Sequence, residues 1–105
     1  MKFILGEQLA GLPLPATEKW KKGIWDIEAF RKGSVSLIIF APSDTDYQTS
    51  HTEDEFYFIA RGTGDLIIAD ERFPFETGDA FFVPAGTEHH FENFSSDFAT
   101  WAVFF

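Results

Sequence analysis

Two histidines stand side by side in the stretch Gly78–Asn93, GDAFFVPAGTEHHFEN, and the chain holds only one more, His51. An imidazole can ligate a metal or exchange a proton near neutral pH, so the first question is which of the adjacent pair can face a site. If Glu88–Phe94 is extended, its side chains alternate across the strand. His89, Phe91 and Asn93 then share one face and His90 and Glu92 the other, so at most one of the two neighbours looks into a given site. The chain has no cysteine, which removes disulfides, thiolate metal sites and cysteine nucleophiles together. Any metal here is held by nitrogen and oxygen, from His, Asp or Glu.

The strand that would carry His89 must be positioned by a chain of 105 residues, the size of one domain with one core. Fourteen phenylalanines, with Gly and Pro at short intervals, describe many short strands separated by turns. The best helical stretch, Trp20–Arg31, is interrupted by Gly23, and its segment WDIEAF sets Trp25, Ile27 and Ala29 against Asp26 and Glu28, which predicts a strand. After the turn RKGS come SLIIF, the polar loop APSDTDYQTSH, DEFYFIA, the turn RGTG, DLIIA, the turn DER, and the strand AFFV. The end, DFATWAVFF, is apolar to its last residue and is expected to lie inside a sheet. Six or more strands with little or no helix predict an all-β fold, an antiparallel sandwich or barrel of the jelly-roll kind. DEFYFIA and AFFV are apolar on both faces, so Phe56, Phe58 and at least one of Phe81 and Phe82 should point away from the interior. Those rings need a cover, from a second sheet, the N-terminal segment or another copy of the chain.

Seventeen acidic residues against eight basic ones give a formal charge of −9, a field that repels phosphate backbones and anionic membranes. Nucleic-acid and membrane partners are therefore not expected, and the acidic surplus reads as a solvated surface that keeps a Phe-rich domain soluble. No apolar run is long enough to span a bilayer, and MKFILGEQL is too short in apolar residues for a secretory leader, so a cytoplasmic location is expected.

The run Gly78, Pro84, Gly86, His89, Asn93, with five, one, two and three residues between its members, resembles the second motif of the cupin superfamily in every element. The first cupin motif, a His-x-His followed by Glu and then Gly, is matched in part by TSHTEDEFYFIARG. Setting Gly62 on the motif's glycine puts Glu55 on its glutamate and His51 on its second histidine, while its first histidine falls on Thr49. More closely, the chain is similar to small single-domain bacterial cupins that carry HxxDE in the first motif. The resemblance implies a cupin jelly-roll barrel over the whole chain as a single domain, 1–105, with the barrel core at about 34–105 and an N-terminal strand segment at 1–33.

It also implies a metal site. His51, Glu55 and His89 are the set that yields two imidazoles and a carboxylate on neighbouring strands, and three protein ligands leave positions open on one divalent ion, whether Fe, Mn, Ni or Zn. Thr49 or Gln48 would supply an oxygen or a bound water where the fourth ligand is missing. Pro84 and Gly86 shape the turn that sends His89 into the barrel, and Asn93 reads as turn chemistry. Glu53 and Asp54 are expected to face solvent, with Glu53 able to swing in as a substitute ligand, and His90 to point outward. Tyr57, two residues past Glu55 and on its face, either presents a phenol to a bound ligand or fills the core. Ile59, Phe91 and Phe81 or Phe82 would make the cavity apolar and aromatic, with no lysine, arginine or second free carboxylate inside it.

Two functions follow from this reading. In one the chain is a small metalloenzyme of dioxygenase, isomerase or cyclase type, with Glu55 and Tyr57 as catalytic residues and a small molecule held in the barrel. In the other it is a binding or sensing module that keeps the cavity without turnover. In either case a homodimer is expected to bury the outward phenylalanines.

Overall fold

The computed structural model of the chain describes residues 1–21, 23–43, 46 and 50–105. Among the described residues the alternating aromatic and β-branched segments form eight strands, β1 Asp26–Lys32, β2 Val35–Phe40, β3 Glu55–Arg61, β4 Gly64–Ile68, β5 Glu71–Phe75, β6 Ala80–Val83, β7 His89–Glu92 and β8 Ala99–Phe104. They make a five-stranded sheet in the order β1-β2-β8-β3-β6 and a three-stranded sheet in the order β5-β4-β7, with every pairing antiparallel. The all-β jelly roll expected from the sequence is the fold observed.

Register shows which residues share the inner face. Ser36 lies opposite Phe104, which lies opposite Glu55, which lies opposite Val83. One step along runs Ile38, Ala102, Tyr57 and Phe81, and beyond them Phe40, Thr100 and Ile59. Phe40, Tyr57, Ile59, Leu66, Phe75, Val83, Phe91, Phe98 and Ala102 pack into one core. Phe91 is its hub, with Tyr57 at 4.9 Å, Phe98 at 4.8 Å and Phe75 at 5.6 Å between ring centres, separations at which tilted aromatic pairs attract.

The outer face of the same sheet divides in two. Over β1 and β2 it is covered by the N-terminal segment, where Phe3 meets Phe30 at 5.6 Å and a short helix, α1 (Leu5–Ala10), lies against β2. Ile39 is fully buried there. Over β3, β6 and β8 no described part of the chain covers it, and Phe56, Phe58, Phe82 and Phe105 are between 37% and 45% exposed. Phe81, by contrast, turns in and packs against the core. The sequence reading of these rings is thus correct, with Phe82 the outward member of its pair.

Three details depart from the sequence reading. Residues 1–33 are not strand throughout, since α1 precedes β1. The segment ERFPF, which begins within the expected turn DER, is a strand, β5; Pro74 is tolerated because β5 is an edge strand and needs no donor on its free side. And β1 carries a bulge between Glu28 and Phe30, so Ile27 faces Ile39 while Phe30 faces Leu37, and the simple alternation through Ala29 is broken.

The turn from β3 to β4 depends on Gly62, whose φ is +98° and where a Cβ would lie 2.6 Å from Ser95 Oγ and 2.7 Å from Phe98 Cα. Only glycine meets both conditions. Gly62→Ala should cost at least ~2 kcal/mol of stability, read as a lower urea midpoint. A variant unfolding at the wild-type midpoint would contradict this account of the turn.

Candidate metal centre

Glu55 opens β3, and its position in the five-stranded sheet, with β8 on one side and β6 on the other, buries its side chain completely. Val83 and Phe104 flank it across the strands. His51 reaches the same place from the loop before β3, with Nδ1 3.7 Å from Glu55 Oε1. His89 arrives from the other sheet, at the start of β7, with Nε2 3.1 Å from Glu55 Oε1. One donor atom from each residue lies within 4.8 Å of the others, a group that could hold a metal ion.

The loop before β3 and the turn before β7 fix each other. Gly86 N–H donates to the His51 carbonyl at 2.6 Å, and Ala85 N–H to Asp54 Oδ1 at 2.8 Å. Asp54 therefore does not face solvent as expected: it is half-buried and binds a turn amide that would otherwise lack a partner. Gly86 has φ +74° with nothing near a prospective Cβ, so the backbone bend and not crowding selects glycine.

His89 is oriented from behind. Its Nδ1 lies 2.8 Å from the Thr87 carbonyl, which can only accept, so Nδ1 carries the proton and Nε2 is the atom turned to the site. Metal-ligating histidines are commonly held in this way. Tyr57 Oη is 3.1 Å from the same Nε2 along the ring's hydrogen-bonding direction, and Tyr57 is fully buried. It is therefore a core residue whose hydroxyl touches His89.

Neither oxygen of Glu55 accepts a hydrogen bond from a described residue. The 3.1 Å separation from His89 Nε2 allows charge attraction, but the ring N–H direction is taken by Tyr57. A buried carboxylate left in this state costs several kcal/mol unless a cation compensates it. The two imidazoles feel that carboxylate differently. For His51, burial dominates the pull of Glu55 and lowers the pKa below 6.5. For His89 burial also acts downward, but the adjacent Glu55 carboxylate, the Thr87 carbonyl and the charge of Asp46 outweigh it, and the pKa is raised above 6.5.

His90 points outward and bonds Glu92 Oε2 at 2.7 Å, as the alternation requires. Asn93 does not continue the inner face: it adopts φ +53° just past β7 and donates to Asp65 on the outside. Glu53 is exposed. Thr49 and Gln48, the candidates for the missing fourth ligand, lie outside the described residues. Asp46 was not singled out in the sequence; its carboxylate accepts the Phe91 N–H at 2.7 Å on the free edge of β7.

The space available to a ligand also differs from expectation. Ile59 and Phe91 are packed core residues, 3% and 2% exposed, and do not line the cavity beside His51. A cavity of about 360 Å³ instead opens at the barrel mouth beside His51, lined by Glu28, Arg31, Ser36, Glu53 and Phe104 among others. The Phe104 ring packs edge-on against His51 at 4.5 Å. The sequence reading had no arginine or second carboxylate near the site because Glu28 and Arg31 belong to β1, four strands from β6 in the sheet order.

Comparison with known proteins agrees with this architecture. The chain is 30% identical over 63 residues to an uncharacterized protein, MJ1618, of Methanocaldococcus jannaschii, an alignment covering 60% of this chain and 50% of that one. It thus spans about half the length of the curated relative it matches. Among solved structures it is similar to a Cupin 2 conserved barrel domain protein of Salinispora arenicola, with TM-score 0.65 and 20% identity over 76% of this chain and 73% of that one. It is also similar to plu4264 of Photorhabdus luminescens, with TM-score 0.61 and 21% identity over 100% and 85%. The DMSP lyase DddQ of Ruegeria pomeroyi shares the fold too, with TM-score 0.61 and 21% identity over 70% of this chain and 39% of that one. The family model for the cupin domain matches residues 36–105, two thirds of the chain and the whole span from β2 to the C-terminus, and the chain belongs to that family.

Proposed function

We propose that the protein is a metal-dependent cupin that binds one divalent ion through His51, Glu55 and His89 and acts on a small molecule at the barrel mouth. The observation that carries this reading is the buried carboxylate of Glu55, to which no described residue donates a hydrogen bond, beside two imidazoles, one of them already oriented by a backbone carbonyl. Two nitrogens and one carboxylate oxygen suit Zn, Fe, Mn or Ni, and three protein ligands leave room for substrate. When bound, such an ion supplies Lewis acidity or a site for dioxygen. The chain's own groups do the rest: Tyr57 Oη is the proton donor we assign to a ligand oxygen at the site, and Phe104 keeps water from one side of His51. Dioxygenase, isomerase and cyclase chemistry all fit this arrangement, as does the lyase activity named for one protein of the same fold. A binding module remains the second reading, supported by the half-open position of the cavity.

Metal uptake distinguishes the adjacent histidines. His89→Ala should lose divalent-ion binding by at least about tenfold in affinity, because a ligand is removed, while His90→Ala should bind as wild type in the same titration. The opposite pattern would overturn the assignment of the inner face. The proton that competes with the ion sits on His89 Nε2, and a raised pKa means this proton is held more tightly than by an ordinary imidazole. Affinity should therefore begin to fall while the pH is still above 6.5, and continue falling as the pH drops. The slope should be about one proton per ion there, since His51 titrates lower. Calorimetric titrations between pH 8 and pH 6 showing no such slope would refute it.

Glu55→Gln tests what the carboxylate is for. Removing a buried charge to which no described residue donates a hydrogen bond relieves desolvation, so the metal-free variant should melt at or above the wild-type temperature. Its circular dichroism should match wild type, its metal occupancy should fall, and any oxygen consumption or substrate conversion should disappear. Conversion that survives the substitution would favour the binding-module reading of the metal site.

We also propose a two-fold homodimer that buries the uncovered outer face. Phe56 stacks with Phe58 and Phe105 and tilts against Phe82, giving an exposed patch on the order of 300 Å². A dimer should appear in light scattering at micromolar concentration, and Phe56→Ser should shift it to monomer. Wild-type monomer under those conditions would remove the proposal.

A further inference from the structure

The bulge in β1 has a chemical effect at the cavity. In a regular strand, residues three apart point to opposite faces, yet here the extra residue at Ala29 brings Glu28 opposite Ile38 and Arg31 opposite Ser36, both on the inner face of β2. Arg31, Ser36, Phe104 and Glu55 thereby stand in one row across β1, β2, β8 and β3. Arg31 shares the cavity with His51. Its Nε donates to Glu28 Oε1 at 2.6 Å, which sets the plane of the guanidinium, and among the described residues no acceptor takes either Nη. The end-on edge with its two parallel N–H pairs is the edge that matches a planar carboxylate.

Building on the metal-site reading, we infer that the ligand of this cavity is a small carboxylic acid, with its carboxylate on the Nη edge of Arg31 and oxygen donors at its other end toward His51, Glu55 and His89. Three strand spacings separate the backbones of Arg31 and Glu55, about 14 Å at ~4.8 Å each; Glu55 is buried while the Arg31 side chain, 60% exposed, stands at the rim of the cavity, so the ligand spans several bonds between them. Ile38 and Phe104 line the interval and favour an apolar middle. A monoanion is preferred to a phosphate because Glu28 and Glu53 border the same space, and a dianion would meet stronger repulsion from them.

The test uses zinc-loaded protein and hydroxamates that carry a terminal carboxylate on two to five methylenes, each paired with its neutral amide. At the best chain length the acid should bind at least about tenfold more tightly than the amide, the scale of a charge-assisted bidentate contact, and Arg31→Gln should reduce the difference to about twofold or less. Equal binding of acid and amide by the wild type would overturn the inference, as would a preference that persists in Arg31→Gln or a phosphonate that binds more tightly than the acid. Zinc uptake, measured separately by mass spectrometry, keeps the two levels apart. A wild type that takes up no zinc sinks the metal reading itself, whereas normal uptake with no carboxylate preference sinks only this inference.

Discussion

A carboxylate completely removed from water, to whose oxygens no described residue donates a hydrogen bond, is the constraint around which this barrel is organised. Burial at Glu55 follows from its place in the middle of the larger sheet, and the low dielectric of an aromatic interior magnifies whatever charge comes near it. Two imidazoles come near it, His51 from the loop before β3 and His89 from the other sheet. Their pKa values separate in response, His51 downward by burial and His89 upward once Glu55 and Thr87 outweigh its own burial. A site that a cation would relieve is thus held by packing that gains nothing from the charge itself, a cost that folds accept where function resides.

The supports of that site are mutual. The turn before β7 gives its amides to His51 and Asp54, and the loop before β3 in return presents the carbonyl and carboxylate that receive them. His89 and Glu55 are placed on two sheets that meet through the packing of Tyr57 on Phe91. The same aromatic wealth that fills the barrel also leaves Phe56, Phe58, Phe82 and Phe105 on the outer face, because strands carrying rings at every position cannot turn them all inward. The N-terminal segment covers the β1–β2 half of that face, and the acidic surface elsewhere opposes nonspecific contact.

The sequence by itself determined most of the strands, which face of HHFE and EFYFIA looks inward, and that any metal ligand is a nitrogen or oxygen donor, since these depend on local rules. Alternation along HHFE separates His89 from His90 whatever the rest of the chain does, and EFYFIA carries Glu55 and Tyr57 on one face for the same reason. Spacing between Gly78 and Asn93 placed the histidine after a tight turn, and the absence of cysteine left only nitrogen and oxygen donors. What only the tertiary structure decided is everything set by residues far apart in the chain or by a one-residue irregularity. The strand at Phe73–Phe75 exists because β5 lies at an edge where Pro74 loses nothing, the solvent side expected for Asp54 was taken over by Ala85 thirty-one positions away, and the cavity beside His51 is lined by Glu28, Arg31 and Phe104, not by Ile59 and Phe91. The bulge at Ala29, which no alternation pattern announces, turned Glu28 and Arg31 to the same face as Glu55, because register across β1 and β2 is a property of the paired strands and not of either alone.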